Sequence, residues 1–264
     1  MENIQYIDIG VNLFSRQFKG NEDNIVHDSY DNNVGMIITG TSAQSSISAS
    51  KYVKDKDNIW ATAGVHPHAA STFDNNTFGL LEIMLKTNKN IVAVGECGLD
   101  YDRMFSPKDA QLDCFEKQIV LAEMSGKPLF LHERSAFDDF YMMLRKHKNI
   151  CTRSVVHCFT GNKEEAMRYL NLGCYIGVTG WVCDDRRNKN LLEALKYIPV
   201  DRIMIETDSP YLIPGSLRGK SRINVPQNIK YVCARLADIK KEDEEVLREK
   251  LLLNTKQFFN LDID

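Results

Sequence analysis

Residues 91–134 read "IVAVGECGLDYDRMFSPKDAQLDCFEKQIVLAEMSGKPLFLHER". Two apolar runs, "IVAVGECGLD" (91–100) and "PLFLHER" (128–134), flank an amphipathic helical pattern over 106–128. In that pattern Ser106 can cap the helix, Pro107 takes the first helical position and Gly126 ends it. The flanking runs are nearly continuous rather than alternating, as strands buried on both faces should be.

The same alternation extends in both directions. The other apolar runs are "YIDIGVNL" (6–13), "GMIITGT" (35–41), "IWATAGVHP" (59–67), "SVVHCFTG" (154–161), "CYIGVTG" (174–180) and "RIMIETDSP" (202–210), which makes eight strands in all. Eight strands, each followed by a helix, predict an α/β chain of the (β/α)8 TIM-barrel type, for which about 250 residues is usual. The chain has 264. Residues 225–260 read as two closing helices. No linker, low-complexity tract or boundary appears, so a single domain over 1–264 is expected.

Apolar content is 43% and charged content 26%, ordinary for a domain with a real core. A net charge of −3 provides no global field for a polyanion, so any attraction to nucleic acid has to be local. The N-terminus lacks the basic and apolar segments of a secretory signal. No run approaches the roughly 20 apolar residues of a membrane span. The seven cysteines are scattered with no C-x-x-C pair, which predicts reduced, mostly buried thiols and a cytoplasmic location, or a nuclear or mitochondrial one if the source is eukaryotic.

In this architecture the chemistry sits at the C-terminal ends of the strands. Strand three ends in His66 and His68, and strand four in Glu96 and Asp100. Strand five ends in His132, Glu133 and Arg134, strand six in His157, and strand eight in Glu206 and Asp208. Four of the six histidines therefore fall on one rim, while His27 and His147 lie in helical stretches. A carboxylate embedded in an apolar strand, as Glu96 is, costs several kcal/mol to bury unless it is paired or bound to a cation. A metal ion is the simplest compensation. Nitrogen with carboxylate oxygen suits Zn2+, Mn2+, Fe2+ or Mg2+, and two histidines make a pure Mg2+ site less comfortable. Cys97 and Cys158 each follow a ligand candidate, so on a strand they face the other way and are expected to be structural.

The segments "GVHPH" (64–68), "GECGLD" (95–100), "LHER" (131–134), "HCFTG" (157–161), "YIGVTGWV" (175–182) and "IETDSPYL" (205–212) closely resemble the TatD family of metal-dependent deoxyribonucleases, within the amidohydrolase-like barrels. The strand "DIGVN" and "GWVCDDRR" (180–187) are similar to the subgroup that lacks a strand-one H-x-H. The resemblance implies a divalent-metal-dependent nuclease, a 3′–5′ exonuclease on single-stranded DNA and in some members RNA. Mg2+ is the expected working ion, with Zn2+ or Mn2+ as alternatives. By the same resemblance Glu96, His132 and His157 are metal ligands, Asp208 binds metal or water, and His66 faces the substrate phosphate.

Two departures stand out. Gly10 and Asn12 replace the two H-x-H histidines, so one firmly held metal is expected. In "RINVP" (222–226), Val225 stands where family members often carry Glu, while Arg222 and Asn224 remain. The mechanism expected is phosphodiester hydrolysis. Glu96 helps hold the metal and Asp208 accepts a proton from water. His66 donates a hydrogen bond to the phosphate or protonates the leaving oxygen. Asn12 reaches the metal through water. His68, Arg134 and Arg222 are expected on the substrate side, with Arg186, Arg187 and Lys220 on the same basic rim. "DDRR" (184–187) otherwise reads as a solvated loop of mutual salt bridges. Trp181 either stacks on a terminal base or packs under its loop. The alternatives are a metal-dependent ester or amide hydrolase, such as an aminoacyl-tRNA deacylase, and a non-catalytic barrel scaffold. Oligomeric state is not encoded in any motif, and a monomer is the simplest expectation.

Overall fold

Segments that are apolar on both faces must be covered on both faces, and all eight become strands in a computed structural model that describes residues 4–219 and 221–263. They are β1 (Tyr6–Val11), β2 (Val34–Ile38), β3 (Ile59–Ala63), β4 (Ile91–Asp100), β5 (Leu129–Arg134), β6 (Ser154–Val156), β7 (Tyr175–Val178) and β8 (Ile203–Ile205). The helices between and after them are α1 (Glu22–Asp31), α2 (Ala43–Val53), α3 (Asn75–Thr87), α4 (Lys108–Ser125), α5 (Phe137–Lys146), α6 (Lys148–Cys151), α7 (Lys163–Leu172), α8 (Lys189–Leu195), α9 (Ile229–Lys240) and α10 (Glu244–Phe259). The strands form one eight-stranded sheet whose order follows the chain from β1 to β8. This is the (β/α)8 TIM-barrel fold that the sequence predicts. No helix among the described residues is long and apolar enough to cross a membrane.

Contacts divide the chain into two compact units, one carrying β1, β2, β7 and β8 and the other β3 to β6. In the first unit, β1 pairs in parallel with β2 and β7 with β8. The end of β1 meets the turn after β8, where Val11 bridges Ser209 and the Asn12 N–H donates to the Ser209 carbonyl at 2.8 Å. Helix α10 ties into this seam. Arg248 donates to the Gln5 carbonyl at 3.0 Å, and Asn254 donates to the carbonyls of Val200 and Ile203 at 2.7 and 2.9 Å.

Asp8 lies fully buried in β1. It accepts from the N–H of Thr207 at 2.9 Å, from the N–H of Gly10 at 3.2 Å and from the Thr207 hydroxyl. Burial outweighs these bonds and pushes its carboxyl up to about 8.

In the second unit, β4 is buried along its whole length and pairs with β3 and β5. Gly95 and Gly98 have φ of +140° and +141°, a region L side chains rarely adopt. A Cβ on Gly98 would stand 1.9 Å from the His132 carbonyl oxygen. Only glycine lets β5, and with it His132, approach β4 this closely.

Helix α4 holds the strand ends through two fully buried glutamines. Gln118 accepts from the Val65 N–H at 2.8 Å and donates to the Val65 carbonyl at 2.9 Å. Gln111 accepts from the Asp100 N–H at 2.8 Å and donates to the carbonyls of Asp100 and Ser106 at 3.0 and 2.9 Å. Gly126 ends the helix in the left-handed conformation, as expected. Ser106 does not cap it. Its hydroxyl donates to the His68 carbonyl at 3.0 Å and accepts from the Ser71 N–H at 3.1 Å, and Pro107 takes the cap position. The hydroxyl has a better use in tying two loops together.

Asp8 gives a test of the β1–β8 seam. Its folded pKa lies above the ordinary carboxyl value, so between about pH 4 and 8 the folded chain keeps a proton that the unfolded chain has released. Stability from this group is therefore greatest at low pH and falls as pH rises through that window. In chelator, Asp8→Asn is expected to flatten the loss in urea midpoint between pH 5 and pH 8. Equal slopes in the two proteins would sink this account.

Candidate metal centre

The strand order brings four histidines and two carboxylates of the second unit into one cluster. Glu96 sits within β4 and His132 within β5, while His157 directly follows β6. His66 lies just past β3, where it caps the 3-10 turn Pro67–Thr72. One Glu96 oxygen, Oε1, lies 2.8 Å from His157 Nε2, 2.9 Å from His132 Nδ1 and 3.4 Å from His66 Nε2. His132 Nδ1 and His157 Nε2 are 3.4 Å apart. Burial alone pushes the Glu96 carboxyl up, but the neighbouring His157, His66 and His132 outweigh it and hold the group well below the ordinary range. Glu96 is therefore an ionised carboxylate inside an apolar strand.

Asp100 completes the arrangement. Its side chain is 1% exposed, and Oδ2 lies 2.8 Å from His68 Nε2 and 3.3 Å from His132 Nε2. Oδ1 accepts the N–H groups of Asp102 and Arg103, both at 3.0 Å. Burial pushes this carboxyl up too, and the bonds from His132, Arg103 and His68 bring it well below the usual value. His132 thus stands between two carboxylates. Burial lowers its pKa, the bonds to Asp100 and Glu96 outweigh that, and the net shift is upward. The pocket attracts positive charge.

Proximity groups His66, Glu96 and His132 as a metal-binding set, but the ring nitrogens distinguish their roles. The His68 N–H donates to His66 Nδ1 at 3.1 Å. That occupies the Nδ1 lone pair and places the single ring proton of neutral His66 on Nε2. Burial keeps the ring neutral by pushing its pKa down to about 3. His66 therefore presents an N–H toward Glu96, a hydrogen-bond donor. His132 turns its other nitrogen to the cluster. Its Nε2 meets Asp100 at 3.3 Å and its Nδ1 faces Glu96 and His157, the carboxylate–histidine arrangement that commonly backs a metal ligand.

The remaining donors fit one ion. Donors about 2.0–2.1 Å from a tetrahedral ion lie roughly 3.3 Å apart. Glu96 Oε1, His132 Nδ1 and His157 Nε2 lie 2.8, 2.9 and 3.4 Å from one another.

In the first unit a second pair forms. Asn12 Nδ2 donates to Asp208 Oδ1 at 2.8 Å. Glu206 accepts the Cys158 N–H at 2.5 Å, and Asn224 donates to the Thr207 carbonyl at 3.1 Å, so both serve the backbone. Asp184 accepts from Arg186 at 3.0 Å, from Arg187 at 2.9 Å and from Arg218. "DDRR" is thus a salt-bridged loop. Trp181 is engaged within that same loop. The Arg187 guanidinium lies 4.2 Å from its ring centroid, and its Nε1–H donates to the Arg187 carbonyl at 3.4 Å. Of the other basic residues, Arg222 is exposed, and Lys220 lies outside the described residues. Arg134, in the second unit, is exposed and pairs with Asp102 at 3.1 Å. Glu133 caps α5 by accepting the Ala136 N–H at 2.7 Å. Cys97 is buried and Cys158 partly so, and all seven cysteines are free thiols.

The supporting role of Asp100 was not apparent from the sequence. Its spacing from Glu96 carried the signal, because residues four apart on a strand share a face.

Comparison with known proteins points one way. The family model "TatD related DNase" matches residues 7–260. The chain is 41% identical to the 3′–5′ ssDNA/RNA exonuclease TatD of Edwardsiella piscicida over 259 residues, covering 97% of this chain and 99% of the relative. It is 40% identical to the protein of the same name from Escherichia coli K12, covering 96% and 98%. Among solved structures, the TatD homologue YJJV of Escherichia coli K12 superposes with a TM-score of 0.88 at 26% identity, covering 98% and 99%. A TatD family hydrolase from Entamoeba histolytica gives 0.85 at 27%, with the same coverage.

Calorimetric titration with Mn2+ tests the ligand assignment. One ion per chain is expected. Glu96→Gln, His132→Ala and His157→Ala should weaken it at least 100-fold, and Asp100→Asn roughly 10- to 100-fold. His66→Ala should stay within threefold, and a loss equal to that of His132→Ala would make His66 a ligand.

Proposed function

Because the chain belongs to the TatD-related DNase family, we propose that it is a divalent-metal-dependent nuclease that hydrolyses phosphodiester bonds of single-stranded DNA, and of RNA, from the 3′ end. The observation that carries the reading is the ionised, buried Glu96 with His132 and His157 at 2.9 and 2.8 Å. The printed activity of the 40–41% identical relatives supports the substrate and the direction. One family match running from 7 to 260 supports treating 1–264 as a single catalytic domain. Seven free thiols are in keeping with a cytoplasmic location.

Glu96, His132 and His157 would hold a divalent ion, which would supply positive charge to a phosphoryl oxygen and acidify a water. The donor set is rich in nitrogen, so Mn2+ or Zn2+ should bind more tightly than the Mg2+ expected from the resemblance. Asp208 is the base that takes the water's proton and aims it in line with the leaving oxygen. Asn12 positions that base through its 2.8 Å bond to Oδ1, a use for the residue standing where relatives carry a histidine. His66 holds a non-bridging phosphate oxygen with its Nε2–H. A ring whose pKa lies near 3 has no second proton to give a leaving group at neutral pH, so its role is hydrogen bonding. Arg134 and Arg222 are exposed and meet substrate phosphates, and His68 is a further substrate-side residue.

The test uses single-stranded oligonucleotides labelled at the 3′ or the 5′ end, with Mg2+, Mn2+, Zn2+ or chelator. Metal-dependent loss of the 3′ label first, abolished in Glu96→Gln, is the expected result. Asn12→Ala should lower kcat about 10- to 100-fold, the value of a hydrogen bond to a charged group, with little change in KM. No cleavage with any ion would turn attention to ester and amide substrates, and zero bound metal after reloading to a scaffold.

A further inference from the structure

The loop joining β4 to α4, residues 101–107, carries two large apolar side chains into solvent beside the metal cluster. Phe105 is 66% exposed and Met104 is 45% exposed. Phe105 is the most exposed aromatic among the described core-type residues, yet its loop is held at both ends. Buried Gln111 bonds the backbone of Asp100 and of Ser106. Ser106 in turn donates to the His68 carbonyl at 3.0 Å, and Asp100 takes the N–H groups of Asp102 and Arg103. A fixed loop that keeps a phenyl ring and a methionine side by side in water offers an apolar face that needs little further ordering to take a ligand.

Its position says which ligand. The Phe105 ring stands edge-on to His68, with centroids 4.8 Å apart and an angle of 89° between the planes. His68 is bonded to Asp100 at 2.8 Å, and Asp100 to His132 at 3.3 Å. From the phenyl ring to a metal ligand is a chain of three contacts. Exposed Arg103 shares the loop, and Arg134 is paired to it through Asp102 at 3.1 Å. An exposed aromatic ring on a loop that also carries one guanidinium group and binds another is the kind of surface on which single-strand binders stack bases while neutralising phosphates.

We propose that Phe105, with Met104 at its side, is the platform on which a base of the substrate strand stacks next to the reacting phosphodiester. The inference rests on the nucleic-acid reading above and deepens it. A stacked duplex offers no free base face, so the platform selects unpaired strands. Because every base has a π-face, it is tolerant of sequence.

Binding decides the proposal, and hydrolysis separately decides the nuclease reading. Affinity for a fluorescein-labelled dT oligonucleotide is measured by anisotropy in chelator, with the full-length chain. Phe105→Ala should bind roughly 5- to 100-fold more weakly, the range for one stacked base, with an unchanged melting temperature. Phe105→Trp should bind as well as wild type and show quenching of its added fluorescence, whereas Phe105→Leu should not recover. The Phe105→Ala defect should vanish on an oligonucleotide of abasic residues and on a duplex of the same sequence. Binding by Phe105→Ala equal to wild type overturns the platform, and so does a wild type that binds no oligonucleotide. If the platform fails while the oligonucleotide is still digested with Mn2+, the nuclease reading stands alone. If binding depends on Phe105 but nothing is digested, the platform stands and the nuclease reading falls.

Discussion

The structure of the site depends on one buried carboxylate. Glu96 lies inside a strand that is otherwise apolar, where an isolated charge would be intolerable. Three imidazoles surround one of its oxygens, and Asp100 fixes the middle one from the far side. That arrangement needs β4 and β5 to run closer than side chains normally allow, and glycines at 95 and 98 permit it. Charge, glycine placement and strand register are thus one requirement seen at three levels.

The histidines are not interchangeable. His66 and His132 both approach Glu96 and both carry a proton on Nε2, yet their outer hydrogen bonds turn different ring nitrogens toward it. One presents a proton and the other a lone pair. A cation and a phosphate oxygen can therefore be served by neighbouring rings without competition, because the assignment is made by what each ring meets behind it: the His68 N–H for His66 and Asp100 for His132.

Much of this was legible in the sequence, and the rest failed for physical reasons. Strands buried on both faces announce themselves, so all eight were readable from continuous apolar runs. Glu96 stood out because a carboxylate inside such a run is costly to bury, and His132 and His157 because they end strands on the same rim and match the family's motifs. Tautomers were not, since they depend on a backbone N–H two residues away or a carboxylate on another strand. Ser106 departs from its sequence pattern for a similar reason. Its S-P pattern suits a helix start, but Gln111 and the His68 carbonyl claim the surrounding groups. The "DDRR" loop read equally well as a phosphate site or as a self-paired turn, and the bonds of Arg186, Arg187 and Arg218 to the one Asp184 make it the turn. Phe105 carried no periodicity to mark it at all.

Helix α4 sets the reach of the site through Gln111 and Gln118. They are seven residues apart, two helical turns, and so lie on one face. Each clamps the backbone of a different strand end, one beside His66 and the other at Asp100. The helix therefore acts as a ruler. Inserting one residue between the two glutamines would swing one of them about 100° away from its strand. Variation in length is tolerable in loops elsewhere in the chain. Along this stretch the count of residues is itself under constraint, although around the cluster's histidines and carboxylates both glutamines bond only backbone.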